Sequence, residues 1–107
     1  PPEIVEVRHL DDHLNYITDV AVRTKVTALL EEIRNWKPGN ISLDPIKYSI
    51  SMKVNGRVFA YLYPRRQHYL IGTFDADDEW KEYSVKGDDD LVTVKPIIKA
   101  AMERRMK

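Results

Sequence analysis

Apolar and polar positions alternate most regularly between Lys47 and Phe74. Tyr48, Ile50, Met52 and Val54 are separated by Ser49, Ser51 and Lys53, the period of two of a half-buried strand. Asn55-Gly56 follows, a dipeptide that supplies positive φ at both central positions of a type I′ turn. A two-residue loop sets Val54 opposite Arg57. Met52 then faces Phe59, Ile50 faces Tyr61 and Tyr48 faces Tyr63. This register predicts one core face made of Tyr48, Ile50, Met52, Val54, Phe59, Tyr61 and Tyr63. Val58, Ala60 and Leu62 fall on the other face, beside Ser49, Ser51 and Lys53. The second strand is apolar on both sides, which marks a central position. Pro64 ends it, and Pro64-Arg65-Arg66-Gln67 turns the chain into a third strand, His68–Phe74. A four-residue turn puts Tyr69 and Ile71 with Leu62 and Ala60; a bulge in this third strand would reverse that placement. The second apolar face then needs a cover: a helix, another domain or another subunit.

Helical spacing appears on both sides of this meander. Val22, Val26, Leu29, Leu30, Ile33 and Trp36 form one stripe, with Thr18 or Asp19 as N-cap and Lys37-Pro38-Gly39 as the stop. Pro1–Arg8 reads as a linker or short edge strand, and His9–Ile17 fits either a helical turn or an extended lead-in. Asn40–Pro45 reads as connector. Asp75–Glu79 is an acidic turn, Trp80–Val85 a candidate fourth strand and Gly87–Asp90 a second acidic turn. Thr93 is positioned to cap a final helix with Pro96 in its first turn. Val94, Ile97, Ile98, Ala101 and Met102 form its buried stripe, and Arg104, Arg105 and Lys107 complement the macrodipole at its end. The expected fold is α+β, because the elements are segregated and do not alternate as βα units. Residues 1–18 form a lead-in and residues 19–107 a single domain. An antiparallel sheet of three to four strands carries the helices Asp19–Trp36 and Val94–Met106 on its aromatic face.

Composition narrows the function classes. The 107 residues suffice for one domain with a core. Lys and Arg number 17, as do Asp and Glu, so no overall field attracts nucleic acid and any such binding needs a local patch. The absence of cysteine excludes disulfide scaffolds and thiolate zinc sites and is compatible with a reducing, cytoplasmic setting. No apolar run reaches membrane-span length, so no membrane partner is expected. The chain opens Pro1-Pro2 without Met, as expected of part of a longer protein.

Catalytic patterns are incomplete throughout. His9 and His13 have a metal-binding i, i+4 spacing, but glutamate does not hold the general-base position and His68 is the one remaining histidine. Asp75-Ala76-Asp77-Asp78-Glu79 alternates carboxylates, yet Trp80 stands where a calcium loop needs glycine. Glu79-Trp80-Lys81 matches the Glu-x-Lys half of a metal-dependent nuclease motif, whose second carboxylate falls to Asp44 in reversed order. Ser49 and Ser51 lie mid-strand without a nucleophile elbow, and Gly56, Gly72 and Gly87 are isolated. No catalytic residue, metal or cofactor is expected. Arg57–Leu62 partly matches the strand of RNA-recognition motifs whose aromatics stack on bases, but Val58 and Pro64 replace its glycine and closing aromatic. Phe59, Tyr61 and Tyr63 are therefore expected in the core.

The remaining candidate surface is the basic turn. Arg65, Arg66 and His68, with Lys47, Lys53 and Arg57, can form a basic rim flanked by Tyr61 and Tyr63. The run from about Val20 to Met106 resembles an uncharacterised bacterial and archaeal domain family labelled "predicted transport protein". The matching features are Leu29–Trp36 (LLEEIRNW), the Lys47–Lys53 strand, the Phe-x-Tyr-x-x-Pro pattern of Phe59–Pro64, a basic turn and a closing helix. The resemblance implies a domain that accompanies nuclease-like or DNA-associated proteins and supplies no catalytic residues. The expected function is a non-catalytic accessory module that contacts nucleic acid or an acidic partner through the basic turn. Two alternatives stand beside it. One is a protein-interaction or homodimerisation module using Val58, Ala60, Leu62 and Ile71. The other is a small-ligand or enzymatic domain around His68 with Tyr61 or Tyr63.

Overall fold

The computed structural model describes residues 9–107. The reading of Pro1–Arg8 as linker or edge strand lies outside the described residues. The elements are α1 (Leu10–Tyr16), α2 (Val20–Trp36), β1 (Ile41–Pro45), β2 (Ile50–Val54), β3 (Arg57–Pro64), β4 (Tyr69–Phe74), β5 (Trp80–Val85) and α3 (Asp88–Arg105). The strands form one antiparallel meander in the order β1-β2-β3-β4-β5. The fold is α+β, with five strands instead of the expected three to four. The added strand is β1, read from sequence as connector. Its alternation covers only Ile41, Leu43 and the intervening Ser42, too short to be distinctive. Pairing with β2 from Ile41↔Val54 to Pro45↔Ile50 makes it an edge, where proline is tolerated.

Local chemistry explains the helix boundaries. The Asp19 carboxylate accepts from the Val22 N–H at 3.1 Å and starts α2, which buries Val22, Val26, Leu29, Leu30 and Ile33. Helix α3 begins at Asp88, five residues before the expected Thr93. The Asp90 carboxylate reaches back to the N–H groups of Lys86 and Gly87 at 3.0 and 3.4 Å. These bonds hold its acid pKa below the usual carboxylate range. Asp88, Asp89 and Asp90 thus form the first turn of a helix, where negative charge suits the macrodipole. Pro96 consequently sits inside α3, where it removes a backbone hydrogen bond. Replacing this exposed residue, Pro96→Ala, is expected to raise stability by about 1–3 kcal/mol in urea denaturation. An unchanged midpoint would contradict an unbroken helix through this position.

The hairpin turn forms as its sequence predicts, with φ of 51° at Asn55 and 81° at Gly56 and Val54 opposite Arg57. The register then slips. Lys53 pairs with Val58, but Met52 pairs with Ala60, Ser51 with Tyr61 and Ile50 with Leu62. Phe59 is the extra residue of a β-bulge. The slip reverses the expected faces: Ile50 and Met52 share a side with Ala60 and Leu62, not with Tyr61 and Tyr63. Its physical cause is the double apolar pattern of β3. Only an odd slip stacks the aliphatic residues of β2 and β3 on one side and leaves both tyrosine hydroxyls within reach of water. Thr73, fully buried, donates its hydroxyl to the Phe59 carbonyl at 2.8 Å and satisfies the irregular backbone there.

The β3–β4 register extends the aliphatic side through Leu62↔Ile71 and Pro64↔Tyr69, as the four-residue turn implied. This side is the core. Ile17, Ile33, Ile50, Met52, Phe59, Leu62, Ile71, Ile98 and Met102 belong to one buried cluster with the helices. Lys95–Glu32 at 2.9 Å and Lys25–Asp88 at 3.3 Å join α3 to α2. The helices therefore cover the Ala60–Leu62–Ile71 face, not the face of Tyr61 and Tyr63. The proposed dimer surface is corrected with it: Ala60, Leu62 and Ile71 have no exposed area. Tyr48, expected in the core, precedes β2 and is 73% exposed. Burial pushes the Tyr69 hydroxyl pKa up to about 12. No helix among the described residues is long and apolar enough to cross a membrane.

Candidate nucleic-acid interface

Hydrogen bonds to main-chain carbonyls gather three distant segments at one end of the sheet. The Arg66 carbonyl accepts from the N–H groups of Thr18 and Asp19 at 2.8 and 3.2 Å and from the Thr18 hydroxyl at 3.0 Å. This clamps the β3–β4 turn to the α1–α2 junction. Inside the turn, the Arg65 N–H donates to the His68 carbonyl at 2.9 Å. On the other side, buried His13 places Nε2 2.6 Å from the Ile46 carbonyl. A carbonyl only accepts, so Nε2 carries the proton. This bond ties α1 to the β1–β2 connection.

Between these ties lies a cleft of about 310 Å³, lined by Asp12, His13, Tyr16, Lys47, Tyr48, Pro64 and Arg65. The Arg66 guanidinium lies over the Tyr16 ring, 4.1 Å from its centre, and the Lys47 ammonium is 5.3 Å from the centre of Tyr48. Asp12 is the acidic lining residue; its carboxylate accepts the His9 N–H at 3.0 Å. Among the described residues Lys47, Arg65 and Arg66 pair with no carboxylate. Two of these cations line the cleft, one stacks on its wall, and among the described residues Asp12 is the carboxylate that lines it with them.

The remaining predicted residues lie elsewhere. Arg57 sits at the opposite, hairpin end of the sheet and donates to the Lys107 carbonyl at 3.0 Å, so it does not join Arg65 and Arg66. Lys53 pairs across the β1–β2 ladder with Asp44 at 3.3 Å. His68 is half-buried in the turn, and its ring makes no hydrogen bond among the described residues. Tyr61 and Tyr63 project from the face opposite the helices.

That face carries a row of aromatic rings. Tyr63 and Tyr61 are 6.1 Å apart with an interplanar angle of 26°, Tyr61 and Trp80 are 5.7 Å apart, and Trp80 and Phe74 are 5.1 Å apart. Trp80 is 39% exposed. Its six-membered ring fills the space above Gly72, where an added Cβ would stand 2.3 Å from Cζ2. Partial burial raises the Tyr63 pKa, with Glu82 and Tyr61 adding to it and Arg65 opposing it. Sequence reasoning missed Tyr16, Tyr48 and Trp80 as surface aromatics. Trp80 had a usable signal: Phe74 opposite Trp80 in a β4–β5 hairpin, beside a mid-strand glycine.

The other constellations are accounted for by structure. His9 is exposed while His13 is buried against Ile46, so the i, i+4 pair does not converge. Among the described residues no three His, Asp or Glu side chains are grouped to hold a metal ion. Asp75 Oδ1 accepts the N–H groups of Asp77 and Glu79 at 2.9 and 3.0 Å, and its other oxygen binds Lys81 at 3.0 Å. These contacts, led by the Glu79 N–H, lower the Asp75 pKa, while Asp75 raises that of Lys81. Asp44 on β1 and Glu79 beside β5 lie at opposite edges of the sheet and do not share a site. No family model, curated protein or solved structure matches the chain.

Proposed function

We propose that this chain is a non-catalytic accessory module of a larger cytoplasmic protein, binding nucleic acid at the end of its sheet. A nuclease-associated context is the one implied by the family resemblance. The supporting observation is the cleft that gathers Lys47, Arg65 and Arg66 with Tyr16 and Tyr48 from three separate segments. Guanidinium and ammonium groups neutralise phosphates, and adjacent rings offer apolar surface to sugars and bases. An acidic protein surface would satisfy the cations but would make little use of the flanking rings. Cationic contacts of this kind confer affinity without sequence choice.

The test is fluorescence anisotropy with labelled single- and double-stranded DNA and RNA at low and physiological salt. The wild-type domain is expected to bind at low salt and weaken as salt rises. Arg65→Glu/Arg66→Glu is expected to lose most of this affinity and to reduce the log–log salt slope by about 1.5. Both side chains are exposed, and the bonds to Thr18 and Asp19 use the Arg66 main chain. The Arg66 side chain's stacking on Tyr16 and its 3.4 Å bond to the Tyr16 carbonyl are lost, and the thermal midpoint should fall little. Absence of wild-type binding at low salt would refute the proposal.

A further inference from the structure

The geometry points to the open face of the sheet as a base-stacking platform for single-stranded nucleic acid, running from the cleft across Tyr63 and Tyr61 to Trp80. This rests on the nucleic-acid reading of the cleft and specifies the form of its ligand. Three observations lead to it.

First, among the described residues the helices reach this face only at Phe74, where the Arg105 guanidinium of α3 lies 4.3 Å from the ring centre. The β-bulge at Phe59 turns Ala60 and Leu62 to the helices and leaves Tyr61 and Tyr63 on the opposite side. Two large rings and an indole are thereby kept half-buried or exposed, although the same strands had aliphatic residues to spare. Buried on one side by the sheet, such rings retain surface for a flat apolar partner. Second, the rings form a row: Tyr63 and Tyr61 are near-parallel at 6.1 Å, and Trp80 stands edge-on to Tyr61 at 5.7 Å and 68°. Gly72 makes the last step possible, because any side chain there would displace the indole. Third, the row ends at the edge of the positive cleft. Pro64 faces the helices and Tyr63 the other side, so the link between row and cleft is Arg65 at the end of β3, which lines the cleft and lies within electrostatic reach of Tyr63.

Cations at one end and successive rings along a flat sheet complement a strand whose phosphates are held at the cleft and whose bases splay onto the face. A duplex hides its base faces in the stack and cannot use the row. Because every base has a π-face, the platform tolerates any sequence. Glu82 is an acidic group on this path, beside Tyr63, and opposes the approaching backbone.

The experiment compares a labelled oligothymidylate, an abasic oligomer of the same length and a duplex, by anisotropy at fixed salt. The variants are Trp80→Leu and Tyr61→Leu, which keep apolar bulk on the sheet and lose the aromatic face. Each is expected to weaken oligothymidylate binding roughly fivefold or more, leaving the salt slope and the abasic affinity unchanged. A merely structural role would lower all three affinities together with the melting temperature. Trp80→Phe serves as the conservative rescue. Unchanged oligothymidylate affinity in both leucine variants, with binding still lost in Arg65→Glu/Arg66→Glu, would overturn the platform and leave the cleft standing. No wild-type binding to any probe would overturn both.

Discussion

Ile71→Asp is expected to destabilise the domain severely. Ile71 has no exposed area, pairs with Leu62 in the middle of the sheet and lies in the same cluster as Ile98 and Met102 of α3. A carboxylate there loses its hydration without an ion partner. The cost is about 4 kcal/mol or more, even allowing for protonation of the acid. A domain of this size has total stability on the order of 5–15 kcal/mol, so such a change removes a large part of it. Far-UV circular dichroism and urea denaturation read the outcome. The same substitution would be mild if Ala60, Leu62 and Ile71 formed an open, solvated face. A folded Ile71→Asp variant with a near-native midpoint would therefore refute the arrangement in which the helices cover this face.

Phe59→Ala is expected to destabilise the domain by about 3–5 kcal/mol, while Tyr61→Leu costs much less. The contrast follows from the bulge. Phe59 is fully buried, and its carbonyl is held by the Thr73 hydroxyl at 2.8 Å, so truncation leaves a cavity that the anchored strand cannot readily close. Tyr61 is only half-buried on the opposite side and keeps most of its apolar contact as leucine. In a regular ladder both residues would occupy the same core layer and both changes would be severe. Chemical denaturation of the two variants separates these registers: comparable losses would sink the bulge.

The sequence by itself determined much of this molecule. The stripe of α2, its Asp19 cap and the Asn55-Gly56 turn each depend on neighbours within a few residues, and each appears in the structure; β2 forms where its alternation put it, but Ser51 is buried as well, so it is not half-buried. The basic character of the β3–β4 turn was equally legible, because Arg65 and Arg66 are adjacent and exposed. Helix α3 was visible, but its start was misplaced: Thr93 and Pro96 are a plausible helix opening taken alone. Only the folded backbone shows Asp90 reaching back to Lys86 and Gly87.

What the tertiary structure decided was the pairing of faces. Strand β3 is apolar on both sides, so alternation alone could not say which side was core. One extra residue at Phe59 reversed the answer for Ala60, Leu62, Tyr61 and Tyr63 together. The same is true of the candidate site. Lys47, Tyr16 and Arg66 are far apart in sequence, and Arg57 is as basic as any of them. Which cations meet was settled by non-local bonds to main-chain carbonyls, from Thr18 and Asp19 to Arg66 and from the His13 ring to Ile46, whose partners no local pattern announces. Local preferences set each element and its turns. The energy of burying one sheet face under two helices chose the register, and that choice left the tyrosine side of the sheet uncovered by helices.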